Sequence, residues 1–258
     1  MAYENILVEN NGHVAKITIN RPSQMNALNR NTIAELHTAL NEANNDKNIG
    51  IVILTGAGEK AFVAGADIKE FADFSVEEGK KLAQVGQETL FDFVENMSKP
   101  VIAAVNGYAL GGGLELAMAS HIRLASDNAR LGLPEVSLGV IPGYGGTQRL
   151  TQLVGKGKAC EMVFSAGMIT AEDALKWGLV NDVCTLEELM PRVEKLASKI
   201  LNNSPMAIAS AIRSINAQAD KTKNGFQVEI DEFGKCFGTP EFKEGTGAFV
   251  EKRKPNFR

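Results

Sequence analysis

The sequence predicts an α/β fold, and three observations carry that reading. Continuous apolar runs closed by glycine, "NIGIVILTG" and "VIAAVNG", have the make-up of buried strands. Segments with helical spacing lie between such runs. From about Ala171 onward the chain turns nearly all helical. The organisation that follows is a strand-rich core, residues 1–200, and a helical C-terminal region, residues 201–258.

The elements can be justified in order. "NILVEN" and "HVAKITIN" are short β-type runs separated by Asn-Asn-Gly, which predicts a hairpin. In "TIAELHTALNEANND" the spacing places Ile33, Leu36 and Leu40 on one helical face. The strand "NIGIVILTG" follows, then a charged helix from roughly Val76 to Met97. Lys99-Pro100 breaks the chain before the strand "VIAAVNG". "HIRLAS" and "ARLGLPE" read as short strands divided by Asp127-Asn128. In "LEELMPRVEKLASKIL", Leu186, Leu189, Val193, Leu196 and Ile200 form one stripe. "SPMAIASAIRSINAQA" opens with Ser-Pro, a cap and first-turn pair.

Composition bounds the function classes. The 258 residues, 44% hydrophobic and 22% charged, suffice for a large core. A net charge of -4 offers no basic field for nucleic acid. Cys160, Cys184 and Cys236 are odd in number and far apart, as expected of reduced thiols. The start "MAYENILVEN" lacks the pattern of a signal or transit peptide, and no apolar run reaches membrane-span length. A soluble cytoplasmic protein is expected.

His13, His37 and His121 have no ligand spacing, so packing or solvent-facing roles are expected, and no metal. No GxSxG and no GxxxxGK[ST] occurs. "GAGEKA" fits a dinucleotide fingerprint, but "FVAGADIKEF" follows it in place of a long amphipathic helix.

The informative stretch is "GYALGGGLELAMASHI", residues 107–122. Three consecutive glycines, Gly111, Gly112 and Gly113, precede a helical run with Glu115 in its first turn. A helix N-terminus bares backbone N–H groups and favours negative charge. Glycine lets a substrate approach those donors, which suit a phosphate or an oxyanion forming on a carbonyl. Close packing at a strand-to-helix turn is the plainer alternative. A second such loop, "AFVAGADIKEF", also feeds a helix start, with Asp67 suited to capping.

Glu115 has apolar neighbours, and so does a second carboxylate, Glu135 in "GLPEVSLGVIPGYGGTQRL". Two carboxylates in an apolar site can have their pKa values driven apart, one holding a proton while the other accepts one. The residues alone therefore point to an acyl substrate, an enolate-like intermediate and two glutamates.

Taken together, "NRPSQMNAL", "AFVAGADIKEF", "KPVIAAVNGYALGGGLELAMASHIRLAS", "LGLPEVSLGVIPGYGGTQRL", "ITAEDALKWGLVNDV" and the tail "FVEKRKPNFR" resemble the enoyl-CoA hydratase/isomerase (crotonase) family over almost the whole chain. The resemblance implies a spiral of repeated β-β-α turns followed by a helical region used in trimer assembly. It implies a homo-trimer, or a homo-hexamer made as a dimer of trimers. It implies a CoA thioester substrate and no separate cofactor. The family's oxyanion hole maps onto the N–H groups of Ala66 and Gly112, and its catalytic carboxylates map onto Glu115 and Glu135. Met25, Ala27, Ala64, Asp67, Ile68 and Lys69 match its CoA-binding segments. Lys60, Phe233 and Lys252 resemble residues around the nucleotide end, the last two reaching from a neighbouring subunit.

The implied reaction is reversible syn hydration of a trans-2-enoyl-CoA, short-chain bacterial hydratases being the nearest match. A Δ3-Δ2-enoyl-CoA isomerase using one carboxylate is the enzymatic alternative. A non-catalytic protein binding acyl-CoA or RNA is the other; the acidic balance and the two glutamates speak against it.

Overall fold

The backbone alternates between two sheets, and this alternation positions everything else. The computed structural model describes residues 3–258. β1 (Ile6–Asn11) and β2 (Val14–Ile19) form the expected hairpin, paired from Ile6↔Ile19 to Asn11↔Val14. α1 (Arg30–Asn45) starts where the Asn29 side chain accepts from the Thr32 N–H at 2.7 Å, and it buries Ile33, Leu36 and Leu40.

β3 (Ile51–Gly56) joins β2 in parallel, and β4 (Ala61–Ala64) then crosses to a second sheet. After a helical segment, β5 (Val101–Val105) returns to the first sheet and β6 (Tyr108–Leu110) to the second. α4 (Gly112–Ala119) leads to the next pair, β7 (Ile122–Ser126) and β8 (Arg130–Gly132). Each turn thus gives one strand to each sheet and then a helix. This is the spiral of β-β-α turns that the resemblance implies. Among the described residues the first sheet runs β1-β2-β3-β5-β7-β10 and the second β4-β6-β8-β9, where β9 is Met168–Thr170 and β10 is Asp182–Cys184.

Strands such as β3 are apolar throughout because both faces are covered. Val52 and Leu54 face the main core, and Ile51 and Ile53 face the other way. There they meet Leu189 and Val193 of α7 (Leu186–Leu201), two of the five residues of the stripe expected from the sequence, with Leu196 and Ile200 half-buried at its margin. α8 (Pro205–Asn216), capped by Ser204, packs on α9 (Gly225–Cys236), and α10 (Pro240–Val250) follows. Among the described residues, no helix is long and apolar enough to cross a membrane.

As expected, "GAGEKA" leads into strand β4 and not into a helix. The structure refines two other local expectations. The helix expected over 76–97 is α2 (Val76–Gly86), a π turn over Gln87–Phe91, and α3 (Asp92–Glu95). The stretch after Ala171 is nearly all helical, as expected, but β10 interrupts it, because β7 offers a parallel edge, pairing Asp182↔Leu124 to Cys184↔Ser126. Two further helices lie in this half, α5 (Gly146–Ser165), bent at Gly155, and α6 (Ala171–Lys176).

Candidate active site

β4 and β6 run side by side, with Ala64 opposite Leu110, so their C-terminal ends deliver two loops to one place. The Gly65 Cα lies 3.7 Å from where a Cβ on Gly111 would sit. Gly111 has φ 49° and ψ -125°, a conformation side chains resist. Gly113 is glycine for close approach: a Cβ there would be 2.0 Å from the Val63 carbonyl oxygen, so α4 presses directly on β4.

The amides that point outward follow from this backbone. In α4 the Glu115 N–H donates to Gly111 O at 2.9 Å, so the N–H groups of 112–114 precede the first intrahelical bond. In the other loop, Leu28 N–H donates to Gly65 O at 2.9 Å and Asp67 N–H to Leu28 O at 2.7 Å. Ala66 bridges Leu28 in parallel between these bonds, which leaves its own N–H on the side away from Leu28.

Glu115 is 1% exposed. Its Oε1 accepts from the Tyr144 and Gly146 N–H groups, each at 2.8 Å. Gly146 is the first residue of α5, so this carboxylate sits at a second helix N-terminus. Oε2 takes no hydrogen bond from the described residues. Burial, and after it the charge of Glu135, push the carboxyl up to about 7, against the pull of the two amides and of Arg149.

Glu135 begins a 3₁₀ turn, Glu135–Leu138, directly after β8. Its Oε1 lies 3.0 Å from the Cβ position at Gly111, which places it at the same glycines. Its Oε2 is buried without a partner among the described residues. Burial raises this carboxyl too. The arrangement is two carboxyl groups with raised proton affinity beside two outward-facing amides. Such a set can move protons next to a carbonyl whose oxygen gains charge.

Among the other sequence candidates, Met25, Ala27, Ala64 and Asp67 come together. Ala64 N–H donates to Met25 O at 3.0 Å, and Arg21 Nη2 lies 3.3 Å from Asp67 Oδ2 while its Nη1 reaches Ala27 O. Ile68 and Lys69 follow in the 3₁₀ turn Ile68–Glu70. Asp67 heads that turn but makes no side-chain cap, contrary to expectation. The Arg21 guanidinium attracts its carboxylate more strongly than the amides of a one-turn helix. Lys60 lies apart, exposed at the opposite end of β4, roughly 13 Å along the strand from Ala64. Phe233 and Lys252 are exposed on α9 and after α10, away from the glycine loops within the chain.

Of the histidines, His13 is exposed, while His37 and His121 pack against the protein. The His121 Nδ1 accepts from Val101 N–H at 3.0 Å, and burial pushes its pKa down to about 4.

Sequence reasoning missed the residues that hold the candidates. Buried Asn26 fastens the Met25–Ala27 segment, donating to Ala57 O at 3.0 Å and Ala61 O at 2.8 Å. Tyr144, Gly146 and Arg149 orient Glu115 or its holders, and the glycine density of "PGYGGTQRL" was the one available signal. A groove of about 590 Å³ between α1 and α2, lined by Ile33, Phe74, Leu82 and Val85, ends at Tyr144. The Tyr144 ring lies 3.5 Å from a Cβ position at Gly112, so that ring stands between the end of the groove and the Gly112 turn.

The comparisons with known proteins agree on one family. Residues 9–258 match the family described as enoyl-CoA hydratase/isomerase. The crotonyl-CoA hydratase of Syntrophomonas wolfei is 47% identical, covering 100% of this chain and 99% of the relative. The short-chain-enoyl-CoA hydratase of Clostridium acetobutylicum is 48% identical over 98% of this chain and 97% of its own length. The crystal structure of an enoyl-CoA hydratase from Bacillus anthracis superposes with a TM-score of 0.92 at 41% identity, covering 98% of this chain and 99% of that one.

Proposed function

The chain belongs to the enoyl-CoA hydratase/isomerase family, and from that premise we propose that it catalyses the reversible syn hydration of a short trans-2-enoyl-CoA, such as crotonyl-CoA, to the 3-hydroxyacyl-CoA. The observation that carries this reading is the pair of carboxyl groups around α4: Glu115, buried on the amides of Tyr144 and Gly146, and half-buried Glu135, its Oε1 against Gly111 and its charge felt by Glu115.

The thioester oxygen takes the N–H groups of Ala66 and Gly112. The two glutamates hold one water. The pair shares one proton, and in the reactive form it sits on Glu135; Glu115, then ionised, accepts a proton as the water oxygen bonds to C3. The electron pair of the double bond moves toward the thioester, and the charge rests on the two amides. Glu135, protonated, delivers its proton to C2 on the same face. The proton gained by Glu115 then passes to Glu135, restoring the starting state. Glu115 titrates under the charge of Glu135, so the proton belongs to the pair.

Met25, Ala27, Ala64, Asp67, Ile68 and Lys69 line the CoA side of the thioester in this reading. The groove ending at Tyr144 suits the acyl chain. Lys60 and, from a neighbouring subunit, Phe233 and Lys252 serve the nucleotide end. The assembly is a homo-trimer or homo-hexamer in the cytoplasm, needing no cofactor beyond the substrate's own CoA. Exposed Phe226, Phe237 and Phe249 on and around the C-terminal helices support an apolar subunit contact.

The experiment is an ultraviolet assay of the purified protein with crotonyl-CoA, without added nucleotide or metal. Loss of the enoyl-thioester absorbance with 3-hydroxybutyryl-CoA as product is expected, and a chain-length series follows. Tight binding with no change in absorbance would overturn hydration, and 3-enoyl-CoA substrates would then test the isomerase.

A further inference from the structure

Glu115 is oriented by two amides of the 143–146 turn, and that turn is itself held from one side. Gln87 Nε2 donates to Gly143 O at 2.7 Å. The Phe91 ring stacks on Tyr144, with centroids 4.6 Å apart and planes 12° apart. Arg149 Nη1 donates to Tyr144 O at 3.0 Å. Its Nη2 donates to Asp92 Oδ1 and Glu95 Oε2, each at 2.7 Å.

All these partners belong to the segment running from α2 through the π turn into α3. In an unbroken α-helix, residues five apart lie about 140° around the axis. The π turn removes that offset: Asp92 N–H bonds back to Gln87 O, so Gln87 and Asp92 share a face. Gly86 adds to the fit, since a Cβ there would lie 2.2 Å from Tyr144 Cε1. One face of one helical segment thus grips one turn at its first carbonyl, its ring and its arginine.

We propose that Arg149 is a positioning residue: by tying the Tyr144 carbonyl to Asp92 and Glu95, it holds the Tyr144 and Gly146 amides where they aim the Glu115 carboxylate at the reacting water. The inference rests on the reading of Glu115 as the group that activates water. No hydrogen bond joins Arg149 to the glycine loops or the CoA segments, so its effect falls on the chemical step and not on binding. Arg149 is 6% exposed and neutralised by two carboxylates, which makes a rigid anchor. A lysine has no planar fork to serve a carbonyl and two carboxylates together.

The test uses the full chain with R149K, R149M and E95Q, and with E115Q as reference. Each is measured for kcat, KM, pH profile, crotonyl-CoA affinity and thermal unfolding. The groups facing Glu115 in these profiles are Glu135, Arg149 and the Tyr144 phenol; those facing Arg149 are Asp92 and Glu95. In R149K and E95Q, kcat should fall roughly 10- to 100-fold, as for displacement of a catalytic group, with KM unchanged. The acid limb of kcat should move to higher pH, because loosened amides favour the ionised carboxylate less. Wild-type kcat and acid limb in folded R149K and E95Q, with E115Q inactive, would overturn the inference and leave Arg149 a purely structural ion pair. A rise in KM at constant kcat would overturn it as well. Full activity in E115Q would instead overturn the reading on which it rests. If R149M fails to fold, R149K and E95Q decide.

Discussion

The Gly146 N–H donates to Glu115 Oε1 at 2.8 Å, and a Cβ on Gly146 would also lie 2.8 Å from that oxygen. The carboxylate occupies the space a side chain would need. Glycine at the first position of α5 is therefore the condition for docking Glu115 on that helix end. Gly146→Ala should displace the carboxylate, costing about 1–3 kcal/mol of stability by overpacking and roughly 100-fold in kcat. Thermal melts and steady-state hydration of crotonyl-CoA check this; a wild-type kcat would show that the docking is dispensable.

Glu115→Gln and Glu135→Gln should each reduce hydration by about 10²- to 10⁴-fold, the usual worth of a positioned acid or base. Both variants should still bind crotonyl-CoA in calorimetry, because the proposed thioester and CoA contacts are untouched. Near-normal turnover in either one would remove that glutamate from the mechanism.

At Gly112 the backbone donor can be separated from side-chain effects. A Cβ there meets nothing closer than 3.5 Å, at the Tyr144 ring, so Gly112→Ala should keep most activity. Gly112→Pro deletes the N–H at the first position of α4, where a helix tolerates proline. Loss of one oxyanion donor should raise the barrier by roughly 3–4 kcal/mol. Equal activity in the two variants would place the thioester oxygen elsewhere.

The raised Glu115 pKa makes a stability prediction with a definite sign. The folded value of about 7 lies above the ordinary glutamate value of 4.5, so the native state holds the proton more tightly. The stability this provides is complete below pH 4.5 and is lost as pH rises through 7. Glu115→Gln, which never ionises, should therefore gain stability over the wild type with rising pH. The gain should approach on the order of 2–3 kcal/mol above pH 8, after vanishing near pH 4. Urea titrations across that range provide the check, and a pH-independent difference would contradict it. Activity should run the opposite way, falling as the pH drops below 7 and Glu115 takes up its proton.

Sedimentation should give a native mass of three or six chains, as exposed Phe226, Phe233 and Phe249 suggest. A stable, fully active monomer would rule out a contribution from neighbouring subunits. In that case Phe233→Ala and Lys252→Ala should leave KM for crotonyl-CoA unchanged.

Elements whose burial is shared with near neighbours in the chain were legible. The β1–β2 hairpin, α1 with Ile33, Leu36 and Leu40, the buried β3 and β5, and the α7 stripe all carry their pattern within a few residues. β10 was not legible, because three residues in a helical stretch become a strand only when β7 pairs with them. The π turn was missed for the same reason: local helical periodicity is unchanged by what Gln87 and Asp92 face. Asp67 reads as a cap until Arg21, far away in sequence, takes its carboxylate.

The sequence by itself determined the alternation of strands and helices, the glycines that bare the backbone, and the two carboxylates set among apolar residues. Those are properties of residue type and local spacing. Only the tertiary structure decided that Tyr144 and Gly146 hold Glu115, that Glu135 meets the same glycines, and that Arg149 anchors the turn between them. Hydrogen-bond direction, desolvation and charge coupling depend on groups brought together from distant parts of the chain, and no local pattern encodes which groups will meet.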